Sequence, residues 1–176
     1  LPVAPGSDET DRAKHTTPLL FHGVVGSDEH TVDSPSFWND AEALVIVDLL
    51  EQLATSPNVD VNVPEDVGVI CAFRMQVTRL RQILRAKGGW FGRVRVRSVN
   101  EYQGKEERII LISTVASQNH GPKILSAAKS FRRGVGLCGT EDAYRKFNVA
   151  ITRAKSLCVI VGDPFILLKD PWWRPY

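Results

Sequence analysis

The chain has 176 residues, 43% hydrophobic and 24% charged, with 13 Gly, 10 Pro and 3 Cys, a composition that fits one globular domain and excludes fibrous, mucin-like and wholly disordered chains. At this size roughly two thirds of the unfolded surface can be buried, so a core forms without disulfides or metal staples. No apolar run approaches the ~18 residues of a membrane-spanning helix; the best candidates, Leu44–Leu50 and Ile109–Ala116, are short and the first contains Asp48, which argues against an integral membrane protein.

The cysteines at 71, 138 and 158 lack zinc-ligand spacing. Their odd number, without a basic, apolar leader, is the expectation for thiols in a reducing compartment. The net charge of +2 conceals an asymmetry: residues 1–66 carry 13 Asp and Glu against Arg12 and Lys14, whereas residues 67–176 carry 20 Lys and Arg against 7 acids. Residues 74–97 alone hold eight basic residues and no acid. Such a cluster serves nucleic acid, a phosphate ligand or an acidic partner, unless it is a solvated face that balances the acidic first part.

Residues 1–17, with several charges and little apolar content, read as a flexible tail or linker, and 18–176 as the folded lobe. Leu19–Val25 is a short apolar run. Asn39-Asp40 marks a helix start before Ala41–Ala54, which ends near Pro57. Val67–Ala72 predicts a buried strand, followed by a helix over Arg74–Lys87, closed by Gly88-Gly89, with Val77, Leu80 and Leu84 on one arc. Arg93–Ser98 alternates Arg and Val as a strand does, and Arg108–Ala116 is a β-branched run buried on both faces. A Gly/Ser/Lys-rich stretch spans 117–140, then a helix over Asp142–Ala154, a strand over Leu157–Val161, and a Pro-rich exit from Pro164 to Tyr176. Strands alternating with helices imply an α/β domain with a mostly parallel sheet covered on both faces. Ligands of such sheets sit beyond the strand carboxyl ends, which directs the search to the loops after Ala72, Ser98, Ala116 and Val161.

The four histidines, at 15, 22, 30 and 120, are scattered, so no metal site is expected. Gly104-Lys105 is not a phosphate loop, because Val99 stands where its first glycine belongs and Glu106 where Ser or Thr must follow the lysine. Two segments are harder to explain by packing. Asn100–Glu106 is a polar loop whose Gly104 lets the backbone approach a ligand while Gln103 and Glu106 project. In Lys146–Lys155, Phe147, Ile151 and Ala154 form a core arc with Arg153 at its flank.

Taken in order, Val67–Ile70 with Arg74 and Gln76, Ser98-Val99 through Tyr102-Gln103-Gly104-Lys105-Glu106, Ile110–Val115, Phe147–Lys155 and Ile160–Pro164 resemble the second RecA-like lobe of up-frameshift-type superfamily 1 RNA helicases over roughly residues 19–170. Phe21–Val24, Ser34–Phe37 and Asp170–Trp173 are similar to the Armitage and Moloney-leukaemia-virus-10 branch, the RNA-silencing helicases. The resemblance implies a RecA-like, P-loop NTPase-type lobe without its own phosphate loop.

It further implies that Arg153 is the arginine finger, that Gly104 and Glu106 lie beside the nucleotide, and that Gln103 couples ATP to RNA. Ala72, Phe73, Arg74, Ser98 and Gln103 would touch RNA. ATP and Mg2+ would be held mainly by a first lobe, so this chain alone should not hydrolyse ATP. Single-stranded or partly structured RNA, that first lobe, and silencing or mRNA-decay proteins are the implied partners, in the cytoplasm or in ribonucleoprotein granules. Phe73 stands where the family often has tyrosine, which removes a hydroxyl from that contact. Two rival readings remain: a non-catalytic adaptor built on such a lobe, and an unrelated doubly wound domain for a small phosphorylated ligand.

Overall fold

The computed structural model describes residues 18–31, 36–60, 62–63, 66–118, 137, 141–170 and 173–174. The expected tail over 1–17, His15, His120, Cys138 and most of the 117–140 stretch lie outside the described residues. In chain order the elements are β1 (Leu19–Gly23), β2 (Asp28–His30), β3 (Phe37–Asn39), α1 (Asp40–Thr55), β4 (Val67–Cys71), α2 (Arg74–Lys87), β5 (Arg95–Ser98), β6 (Glu107–Ser113), α3 (Glu141–Ile151), β7 (Ala154–Gly162) and α4 (Pro164–Leu167). Among the described residues, five strands form one sheet in the order β1-β7-β6-β4-β5, and every neighbouring pair in it runs parallel. A separate antiparallel pair, β2 with β3, lies beside it.

The alternation of side chains along the central strands builds two cores, one on each face of the sheet. On one face, Ile46 and Leu50 of α1 and Leu80 and Leu84 of α2 cover Val67, Val69, Leu111 and Val161. On the other, Phe147 and Ala150 of α3 pack with Tyr102 and Trp173 over Ile70, Ile110, Ile112 and Ile160. Trp173 lies 4.0 Å from Phe147 between ring centroids, and its indole N–H donates to the Leu137 carbonyl at 2.8 Å.

Asn39 caps α1 by accepting from the Glu42 amide at 3.2 Å, the start expected from Asn39-Asp40. Two elements end earlier than their patterns suggest, and one begins later. β6 stops at Ser113 because Val115 turns the chain with φ +69°. α3 stops at Ile151, not Ala154: the Thr152 hydroxyl returns to the Asn148 and Val149 carbonyls, and β7 has begun by Ala154. The edge strand begins at Arg95, after a 3-10 turn over Phe91–Arg93. The polar loop after Ser98 also opens with a 3-10 turn, Val99–Tyr102, with Ser98 and Glu101 as its capping pair.

The elements at the carboxyl end of the sheet converge on a buried polar network. The fully buried Glu42 carboxylate accepts from the Ser113 hydroxyl at 2.7 Å, the Val115 amide at 2.9 Å and the Thr114 hydroxyl at 3.3 Å. Gln76 of α2 closes the ring: its amide nitrogen donates to Ser113 Oγ and the Asn39 carbonyl, and its oxygen accepts from the Asn39 amide. Burial outweighs these hydrogen bonds and raises the Glu42 pKa to about 7. An acid whose pKa is raised on folding leaves stability intact below its unfolded value and lowers it as pH climbs toward the folded one. The chain should therefore lose about 3 kcal/mol between roughly pH 4.5 and 7 at this position. The thermal midpoint of Glu42→Gln, measured against the parent from pH 5 to pH 8, should gain steadily on it; a constant difference would refute the assignment.

Candidate functional site

A parallel sheet separates the segments that enter its strands from those that leave them, and the residues singled out in the sequence fall into both groups. Gln103, Gly104 and Glu106 precede β6, and Arg153 precedes β7. β6 pairs with β7 in register, Glu107 opposite Ala154, and the Glu107 amide donates to the Arg153 carbonyl at 3.1 Å. Glu106 and Arg153 are thereby neighbours at the amino end of the sheet. Ala72, Phe73, Arg74 and Ser98 follow β4 and β5 and lie at the carboxyl end. The second group thus lies at the strand carboxyl ends to which the search was directed, and the first does not. The entering segments were assigned by motif, and the fold returns them to the opposite end.

Arg153 stands in the turn between α3 and β7, half-buried, rather than on the helix itself. Its Nε donates to the Val149 carbonyl at 3.0 Å and its Nη2 to Thr152 Oγ1 at 3.0 Å. Both acceptors are neutral, and among the described residues no carboxylate forms an ion pair with it. The cation at the carboxyl terminus of α3 also complements the helix dipole. Directly beyond, β7 carries one extra residue between Ala154 and Leu157 against Glu107–Ile109 of β6, a bulge of the kind that re-aims side chains beside sites.

Gly104 takes φ +75° with open space where a Cβ would stand, and Gln103, Lys105 and Glu106 around it are exposed. This loop is held from below by Tyr102, which is fully buried: its hydroxyl donates to the Arg95 carbonyl at 3.3 Å and fills the space over Gly68. Burial and the nearby Glu107 carboxylate push the Tyr102 pKa up, so it remains a neutral donor.

At the carboxyl end, the Ala72 amide donates to the Ser113 carbonyl at 3.0 Å. Phe73 is buried, edge-on to Phe37 at 5.4 Å. Its ring belongs to the packing, which leaves only its backbone for a ligand. Arg74 is exposed at the first turn of α2 and has no ion pair among the described residues. The Ser98 hydroxyl donates to Glu101 at 2.9 Å, so it caps the turn that leads down to Gln103. Cys71 and Cys158 are free, buried thiols; burial raises both, Cys158 to about 12, which makes them inert hydrophobes. Among the described residues no three His, Cys, Asp or Glu side chains gather as a metal site, and no helix is long and apolar enough to cross a membrane.

Sequence reasoning missed the Glu42–Gln76–Ser113 network. Its signal was present: Glu42 shares a helical arc with Ile46 and Leu50, a carboxylate on an otherwise apolar stripe.

A parallel sheet covered by helices on both faces is of the doubly wound α/β class, and the family match makes it a RecA-like lobe of the P-loop NTPase type. The chain belongs to the AAA domain family (AAA_12), which matches residues 4–164 and forms the C-terminal lobe of up-frameshift-like superfamily 1 helicases. It is 37% identical over 171 residues to MOV-10 of Gallus gallus, covering 90% of this chain and 16% of that protein. It is 38% identical over 154 residues to the RNA helicase Mov10l1 of Homo sapiens, covering 88% of this chain and 12% of that protein. It is 34% identical over 156 residues to armi of Drosophila melanogaster, covering 88% of this chain and 12% of that protein. The chain therefore spans less than a fifth of the length of these relatives.

A Cβ on Gly68 would stand 1.9 Å from the Tyr102 hydroxyl and 2.9 Å from Glu107 Cγ. Gly68→Ala should cost about 1–3 kcal/mol by overpacking, read as a lowered thermal midpoint. Adding Tyr102→Phe removes the colliding oxygen and should recover part of that loss, so the two changes couple in a double-mutant cycle. Additive effects would mean that Tyr102 does not pack as described.

Proposed function

We propose that this chain is the C-terminal motor lobe of an ATP-dependent RNA helicase, supplying the arginine finger and part of the RNA-binding surface. The observation that carries the reading is Arg153, held by neutral acceptors and paired with no carboxylate among the described residues, beside the exposed Glu106 at the end of the sheet where β6 and β7 begin.

These residues fit a bound nucleotide. Gly104 admits a close backbone approach, Glu106 offers an acceptor for a sugar hydroxyl, and Arg153 keeps guanidinium N–H groups for a terminal phosphate. ATP with Mg2+, held mainly by a first lobe, supplies the phosphoryl bond whose hydrolysis drives the cycle. Arg153 orients toward and stabilises the charge that develops there. Gln103 lies between Glu106 and the turn capped by Ser98, so movement at the nucleotide end reaches the carboxyl end of the sheet along one short segment. At that end the backbone at Ala72 and Phe73, together with Arg74 and Ser98, contacts the RNA sugar-phosphate chain.

Coupling requires that RNA affinity differ between the nucleotide states of the two lobes. The placement in RNA silencing or mRNA turnover, in the cytoplasm or its granules, rests on the likeness to Mov10l1 and armi alone.

In the full-length protein, Arg153→Ala should lower RNA-stimulated ATP turnover by about a thousandfold or more, while RNA affinity without nucleotide stays within about twofold of the parent. Turnover that survives the substitution would remove Arg153 from the role. A parent protein that binds RNA without any turnover would instead mark the lobe as a non-catalytic adaptor.

A further inference from the structure

The basic residues of α2 divide by the direction they face. Arg79 and Lys87 turn to α1, where they pair with Asp40 at 2.8 Å and with Glu51. Arg81 and Arg85, one helical turn apart, turn instead to the open edge of β5, and no carboxylate pairs with either among the described residues. With Arg93, Arg95 and Arg97 they line a concavity that follows this edge from one end of the sheet toward the other. Arg81 Nε donates to the Val96 carbonyl at 3.0 Å, so an outward backbone acceptor of the edge strand is already covered and the groove presents guanidinium. Among the described residues two acids border it: Glu107, paired with Arg95 at 3.1 Å near the amino end, and Glu101 near the carboxyl end, its pKa lowered first by the Ser98 amide and further by Arg81 and Arg97.

We propose that this groove is a track for the sugar-phosphate backbone of single-stranded RNA, extending the strand from Arg74 and Ser98 along β5. The inference rests on the RNA-binding reading above for the part at the carboxyl end. Three features favour an extended polyanion over a compact phosphate ligand. Arg81 and Arg85 are separated by a helical rise of about 6 Å, and Arg97, one strand repeat of about 6.6 Å beyond the Glu107-paired Arg95, adds a cation on the other flank, so cations recur along the groove. The groove's cations are all arginine, whose fork takes phosphate oxygens in pairs. And the groove opens toward the carboxyl end of β4 and β5, where Arg74 stands exposed.

The test is equilibrium binding of the full-length protein to two fluorescent oligouridines across a potassium chloride series. The short one, about six nucleotides, fills only the carboxyl end; the long one, about 20, reaches the groove. The double variant Arg85→Glu/Arg97→Glu should bind the short one like the parent. It should lose at least about tenfold for the long one, with the slope of log affinity against log salt shallower by about 1.4, two lost contacts at about 0.7 each. Arg85→Gln/Arg97→Gln should lose less in the same direction, and unchanged thermal midpoints guard against misfolding.

Unchanged long-strand binding overturns the proposal and leaves the RNA reading standing. Equal losses for both oligonucleotides overturn it as well, as does a variant that loses an acidic polyglutamate peptide while holding long RNA. A parent protein that binds neither oligonucleotide would overturn this proposal and the underlying RNA reading together.

Discussion

The constraint on which the rest depends is that the strands of the sheet all run the same way. With β1, β7, β6, β4 and β5 parallel, each loop that enters a strand lies at one end of the domain and each loop that leaves lies at the other. Two surfaces about one strand length apart are thus assembled from alternate stretches of sequence. Glu106 and Arg153, far apart in the chain, meet because β6 and β7 are neighbours in register. Ala72 and Ser98 meet because β4 and β5 are. The short run from Ser98 to Glu106 connects the ends directly, and Tyr102 holds it against the sheet over Gly68, a strand position with no side chain to oppose it.

The two ends are stabilised by different electrostatic means. At the amino end the cation of Arg153 rests on carbonyl and hydroxyl oxygens, which orient it without cancelling its charge. At the carboxyl end a carboxylic acid, Glu42, is buried among hydroxyls and amides that tie α1, α2 and the end of β6 together. Such a network is costly where it is incompletely satisfied and specific where it is complete. Here it fixes the start of α2, and with it the position of Ala72–Arg74, to the end of the neighbouring strand.

Much of this was legible in the sequence, because the central strands are continuous apolar runs and the helices carry clear arcs. Val67–Cys71, Arg74–Lys87 and the cap at Asn39 follow directly from pattern. What pattern did not reveal were features that depend on tertiary partners. Ser113 ends β6 within a run that is apolar beyond it, because Val115 turns left-handed as its amide meets Glu42. Thr152 ends α3 by bonding backwards, a choice local propensity leaves open. The pairing of β2 with β3, only three residues each, carries too little periodicity to register. The candidate site residues stood out as motifs, but their division between the two ends did not, since spacing along the chain says nothing about which end a segment enters.

The side chain of Arg81 has one more consequence, for the behaviour of the chain in concentrated solution. By occupying an outward carbonyl of β5, it denies that border to an incoming strand, the usual route to ordered self-association. At the far border, β1, no described side chain covers a carbonyl in this way, and Leu19, Leu20 and Phe21 are 41%, 53% and 49% exposed. Any stacking of copies strand to strand would start from that side, and charged residues introduced there would be the natural way to keep the protein dispersed.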